Sequence, residues 1–110
     1  MDSEEVPLAE LLDAICENGE KVKKEPRRET VFEYKRSVQK LISLVLERAI
    51  IVEEQTSSPN ILRQKRFTLI KVIDQKLDRL VSEVLVNQRD ALELLGRIDE
   101  INGLLVDLAG

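Results

Sequence analysis

Leu80-Val81-Ser82-Glu83-Val84-Leu85-Val86-Asn87-Gln88-Arg89-Asp90-Ala91-Leu92-Glu93 is the stretch on which the fold turns. Upstream of it Ile70, Ile73, Leu77, Leu80 and Val84 recur at helical spacing, and downstream Ala91, Leu95, Ile98, Ile101, Leu105 and Leu108 form a second stripe. Between the stripes the register meets Asn87 and Gln88. An unbroken helix from Pro59 to Leu108 would run about 75 Å at 1.5 Å per residue, roughly twice the helix before it, and half of it would lack a partner. A break between Val86 and Asp90, with Asp90-Ala91-Leu92-Glu93 capping a fresh helix, removes that difficulty. The expected architecture is an all-α, up-down four-helix bundle spanning residues 1–110 as one domain. The alternative is three helices with a long continuous C-terminal helix.

Working outward, Thr56-Ser57-Ser58-Pro59-Asn60 reads as a turn, with Ser58 as N-cap and Pro59 in the first helical position. The helix before it opens with Thr30-Val31-Phe32-Glu33, a capping-box pattern, and runs to about Gln55. Val31, Tyr34, Val38, Leu41, Ile42, Val45, Ala49 and Val52 make its main face, and Leu44, Leu46, Ile50 and Ile51 widen the apolar arc beyond one seam. The first helix begins near Pro7 and ends before Pro26, because Glu25 is pushed out of helical geometry by the proline that follows. Its apolar side carries Leu8, Leu11, Leu12, Ile15, Cys16, Gly19 and Val22, so Cys16 is expected to be a buried structural thiol.

The chain has 110 residues, 43% of them apolar and 35% charged, enough for one core without a staple. With no His and one Cys, the usual routes to neutral-pH acid–base catalysis and to zinc are nearly closed, and no disulfide can form within the chain. Only carboxylates remain for a hard metal: Asp74 with Asp78, or Asp99 with Glu93 or Glu100. On helix exteriors such residues ordinarily support i,i+4 pairs. No phosphate-binding glycine loop follows a strand, because no strand is expected. The sequence therefore points away from an enzyme, and to no cofactor and no metal. Met1-Asp2-Ser3-Glu4-Glu5 is acidic and lacks the apolar run of a secretory signal, and no tract approaches the ~20 apolar residues of a membrane span. A cytoplasmic location and no membrane partner are expected.

Charge is uneven along the chain. Residues 1–25 hold eight acids and three bases, residues 56–79 two acids and six bases, and residues 80–110 six acids and two bases, within a net charge of −4. Lys21, Lys23, Lys24, Arg27 and Arg28 form one basic zone, and Arg63, Lys65, Arg66 and Lys71 another. In an up-down bundle these fall at opposite ends. Arg63, Lys65 and Arg66 are the candidate anion-binding residues. Arg66 projects onto the apolar stripe with Leu62, Ile70, Ile73 and Leu77, where it either snorkels, pairs with a carboxylate or marks a binding site. Gly96 and Gly103 lie on the side of the last helix opposite Ile98, Ile101 and Leu105, as tolerated exterior glycines or as room for a neighbouring helix.

Several stretches resemble a bacterial family of small helical proteins, the YaaR-like family. Arg97-Ile98-Asp99-Glu100-Ile101-Asn102-Gly103-Leu104-Leu105-Val106-Asp107-Leu108 is similar to that family's closing I-x-E-I-x-G-L-L-x-x-L run, and Val72-Ile73-Asp74-Gln75-Lys76-Leu77 resembles its V-D-x-K-L. Lys65-Arg66-Phe67 is similar to a basic-basic-aromatic triplet, and Leu8 to Val22 follows L-x-x-L-L-x-x-I-x-x-x-G with Gly19 in step. The resemblance implies a bacterial, cytoplasmic helical bundle of unknown function and carries no catalytic motif. The function expected from the residues themselves is a non-catalytic helical protein-protein interaction module. Its partner is an unidentified protein or the chain itself, with Leu44, Leu46, Ile50, Ile51 and Arg66 as contact residues. The rival is a regulatory module that binds nucleic acid or a phosphorylated ligand through the basic segments; overall acidity and three aromatic residues make nucleic acid the poorer fit.

Overall fold

The computed structural model describes residues 7–56, 60–87 and 91–110; side chains are described outside 50–62 and 87–92. Four α-helices run in order: α1, Leu8–Lys24; α2, Arg28–Thr56; α3, Asn60–Ser82; and α4, Ala91–Ala109. Between α3 and α4 the chain continues into a π-helical turn, Glu83–Asn87. The second half is thus two helices, which excludes the three-helix alternative. The expected cap at Asp90 and the expected turn at Ser58 and Pro59 lie outside the described residues.

Each described helix boundary has a local cause. Pro7 stands in extended geometry just ahead of α1, where a missing N–H costs nothing. Lys21, Lys23 and Lys24 place positive charge in the last turn of α1, facing the negative end of its dipole. The start of α2 corrects the capping-box expectation: the helix begins at Arg28, so Thr30 sits inside its first turn. There its hydroxyl accepts the Arg27 N–H at 3.1 Å and donates to the Glu25 carbonyl at 2.6 Å. Thr30 therefore does from the third helical position what the Glu of a box does, and closes the α1–α2 corner across Pro26.

α1 packs on α2 and α4, and α3 packs on α4 and α2; α2 also touches α4 across the middle, whereas among the described residues α1 and α3 do not meet. The bundle is therefore flattened, with principal extents of 46 × 33 × 17 Å, and α1 and α3 form its opposite edges. Ile15, Val22, Val31, Tyr34, Val38, Leu41, Ile73, Leu77, Leu80, Leu94, Ile98, Ile101 and Leu105 fill the core. The stripe expected on α4 needs one correction. Leu94 is buried and Leu95 is exposed, because the core-facing register is Leu94, Ile98, Ile101, Leu105 and Leu108.

α1 approaches α4 closely at Gly19. A Cβ there would stand 3.0 Å from Ile98 Cγ2 and 3.4 Å from Tyr34 Cε1. Under the same crossing the buried Tyr34 hydroxyl donates to Asn102 Oδ1 at 2.7 Å. Burial pushes the Tyr34 phenol well above its ordinary range, with smaller contributions from Cys16 and Asp99, so it remains a donor throughout the physiological range. Cys16 itself is exposed, against the expectation of a buried thiol. It is one position, about 100° of helix rotation, past the buried Ile15, and that turn carries it out of the core.

Candidate interaction surface

The side chains singled out in the sequence meet different fates. On α2, Leu44 and Leu46 are half-buried, and Leu46 packs against the core, so part of the extra apolar arc is absorbed by the bundle. Ile50 and Ile51 lie on the α2 backbone beyond the described side chains. On α3, Arg63 and Lys65 are exposed and Arg66 is half-buried on the core side, where it makes no ion pair or hydrogen bond with a described residue. The two basic zones sit at opposite ends, as the topology requires, and do not merge.

Phe67, which the sequence pattern alone does not single out, organises this part of α3. It is 58% exposed. Spacing of four residues sets Arg63 one turn before it and Lys71 one turn after it on the same outward flank. From Asn60 to Ile73 the helix carries Arg63, Lys65, Arg66 and Lys71 and no acid; Asp74 and Asp78 follow on that flank. The other phenylalanine, Phe32 on α2, is half-buried against the core, and its ring is covered by Arg28 at 5.7 Å and Lys35 at 6.0 Å. The two rings share a chemistry and differ in cover. The signal for Phe67 was available in the helical projection, which puts it well off the Ile70–Ile73–Leu77 stripe.

Several charges elsewhere are engaged between helices. Lys23 reaches Asp99 at 2.9 Å and Glu20 at 3.0 Å, and the Asp99 bond is the main reason its ammonium titrates above the ordinary range. Lys76 meets Glu100 at 2.8 Å and draws that carboxyl below its usual range. At the π turn, Glu83 is 5% exposed and its Oε1 stands 2.6 Å from Arg97 Nε. The sequence held a sign of this too: Glu83 falls three residues after Leu80 on the buried stripe, and Arg97 three after Leu94. Asp74 is pushed up by partial burial and by Asp78, against a smaller opposing pull from Lys35.

Among the described residues no group of three or more His, Cys, Asp or Glu is placed to hold a metal ion. No described helix is long and apolar enough to cross a membrane. Asp74 with Asp78, and Asp99 with Glu100, are exposed pairs whose members answer to lysines or to each other, not to a shared centre.

Fold and surface together define the class, a small all-α four-helix-bundle protein with an exposed basic and aromatic flank on α3. The chain belongs to the family described as Protein of unknown function (DUF327), whose model matches residues 2–109. It is 29% identical over 101 residues to the uncharacterized protein YaaR of Bacillus subtilis (strain 168), covering 92% of this chain and 69% of that one. It is also similar to the crystal structure of the uncharacterized protein BH1478 from Bacillus halodurans, with a TM-score of 0.80 at 26% identity over 94% of this chain and 84% of that one. The YaaR-like resemblance and the all-helical fold both stand on these likenesses.

Proposed function

We propose that this protein is a non-catalytic helical protein-protein interaction module that docks an acidic protein surface on the first half of α3. The observation that carries the reading is Phe67, a 58% exposed ring between two cations on an acid-free stretch of helix. Aromatic residues and arginine are the side chains that concentrate binding energy at interfaces, and flanking charge sets orientation and rejects wrong partners. Arg66, half-buried without a described partner, supplies a cation close to the apolar edge, and Arg63 and Lys65 supply two more. Leu44, Leu46, Ile50 and Ile51 on α2 are the apolar residues proposed to extend the contact. A protein surface fits better than a nucleic acid: one exposed aromatic offers one stacking platform, and Asp74 and Asp78 interrupt the basic track along its own flank.

The reading is tested by crosslinked affinity purification from a lysate of the native host, with and without nuclease, using the wild-type chain and Phe67→Ser. A protein that survives nuclease and is lost with Phe67→Ser is the expected result. Recovery only of nucleic acid, or of proteins that vanish with nuclease, overturns it in favour of an anion site at Arg63, Lys65 and Arg66.

A further inference from the structure

The two edges of the flattened bundle carry opposite charge at the same height. On α1, Glu10, Asp13 and Glu17 are exposed, spaced three and four residues apart along one outward face, and the helix from Leu8 to Glu20 contains no base. On α3 the exposed counterparts are Arg63 and Lys71, with Phe67 between them. Below these, the signs invert on both edges: Lys21 and Lys24 on α1, Asp74 and Asp78 on α3, all exposed.

The level of one edge against the other is given by α4. Asp99 and Glu100 are consecutive, and they hold Lys23 of α1 and Lys76 of α3, so those lysines are level to within about one helical turn. In an up-down bundle α1 and α3 run in the same direction, so the offset of 53 positions between Lys23 and Lys76 holds along both helices. Glu10 is then level with Arg63, Glu17 with Ile70 and Lys71, and Lys21 with Asp74. Ala14 is level with Phe67, and Glu25 with Asp78, one position past Lys24.

We propose that the partner of the α3 flank is the α1 edge of a second copy of this chain, displaced sideways with its axis parallel and without an axial shift. This deepens the interaction-module reading and rests on it. In that arrangement Glu10 lies level with Arg63, Asp13 with Arg66 and Lys21 with Asp74, three pairs of opposite charge against the like pair Glu25 and Asp78, and both sign changes fall at the same height. The two edges are different surfaces on opposite sides of the molecule, so the contact is heterologous: each bound copy leaves one free edge of each kind, and association continues instead of closing at a dimer. The footprint is one helix wide and about 22 Å long, roughly 250 Å² a side against about 800 Å² for a stable interface, so the association is weak and governed by charge. Screening at ~1 M salt, where the Debye length is ~3 Å, dissolves it.

Light scattering and sedimentation equilibrium of the full chain at ~20 mM and ~1 M NaCl test this. At low salt the weight-average mass should climb with concentration from 12.6 kDa past twice that value without a plateau, and at high salt it should return to the monomer. Two variants sharpen the result, Glu10→Gln/Asp13→Asn/Glu17→Gln on one edge and Arg63→Gln/Lys71→Gln on the other. Each alone should remain monomeric, with helical circular dichroism unchanged, and an equimolar mixture should stop at two chains, because each supplies the edge the other has lost. A wild-type chain that stays monomeric at low salt, association indifferent to salt, or growth that persists in either variant overturns the proposal. A lysate partner that still depends on Phe67 would then show that only the second copy was wrong, whereas loss of that partner as well removes the interaction reading itself.

Discussion

The crossing of α1 over α4 at Gly19 and the outward flank of α3 around Phe67 contain similar ingredients and treat them in opposite ways. At the crossing, an aromatic ring, an amide and a glycine are assembled so that the hydroxyl has its acceptor and the helices touch. On the α3 flank an aromatic ring lies open to solvent between two exposed cations. The first arrangement commits its side chains to the fold. The second leaves apolar area exposed beside positive charge, and such a surface is what an encounter with another molecule can use. The contrast predicts that substitutions at the crossing change stability with little direct effect on association, and that substitutions on the flank do the reverse.

The largest effect is expected at Ile98, which is fully buried and whose Cγ2 meets Gly19. Ile98→Ala should cost about 3 kcal/mol in urea denaturation, from lost transfer energy plus the residual cavity. Phe67→Ser should lie within about 0.5 kcal/mol of wild type in the same measurement. Equal losses at the two sites would erase the distinction between them. Arg97→Ala should fall next, at about 2 to 3 kcal/mol, because it strands the Glu83 carboxylate in the π turn; the partial exposure of Arg97 keeps this below a fully buried pair. Arg97→Ala/Glu83→Leu should recover most of that loss.

The fold was legible where one physical effect dominated. The two aliphatic stripes around Asn87 and Gln88 led to two helices because a single helix of that length had nothing to bury itself against. Pro7 and Pro26 marked α1 because proline acts on its own backbone and on the residue before it. Cys16, Leu94 and Leu95 were misassigned because the apolar arc is wider than the seam it serves; which of two adjacent apolar residues turns inward is decided by the crossing geometry. Thr30 was misread because a hydroxyl can serve a helix start from either end of a capping box. The candidate surface was legible as a charge imbalance and no further. Phe67 looked like part of a family triplet, and the opposition of α1 and α3 depends on the flattening of the bundle, which no local pattern encodes.

Glycines sharpen the comparison at smaller cost. Gly19→Ala sets about 1 kcal/mol of helix propensity gained against a methyl placed 3.0 Å from Cγ2 of Ile98, a side chain fully buried in a close-packed core. A net destabilisation of about 1 kcal/mol is expected. In an Ile98→Ala background the same change should become stabilising, since the obstructing methyl is gone, and a thermodynamic cycle reads the reversal. A methyl added at Gly96 or Gly103 would have nothing within 4 Å of it, so Ala at either should stabilise by about 0.5 to 1 kcal/mol. If Gly103→Ala also leaves self-association unchanged, the outer face of α4 is excluded as the contact and the α1 and α3 edges stand apart from it.

The smallest effect lies at the boundary where the α3 flank changes sign. Asp74 titrates above the usual carboxylate range because partial burial and then Asp78 disfavour its charge, with Lys35 pulling the other way. An acid whose folded value is raised carries a penalty that is fully present above that folded value and fades as pH falls toward the unfolded one. Asp74→Asn should therefore be more stable than wild type at pH 7 by a few tenths of a kcal/mol, reduced by solvent screening, and the difference should close as pH drops through the raised carboxylate range. Its effect on association should run the other way. Asp74 is level with Lys21 of a neighbouring copy, so removing its charge should lower the low-salt mass at fixed concentration while the chain itself becomes more stable. A variant that gains stability and loses association separates the two uses of one carboxylate, and Asp74→Asn with both properties unchanged would place the functional boundary above Lys71 and leave Asp74 and Asp78 as solvent-facing residues.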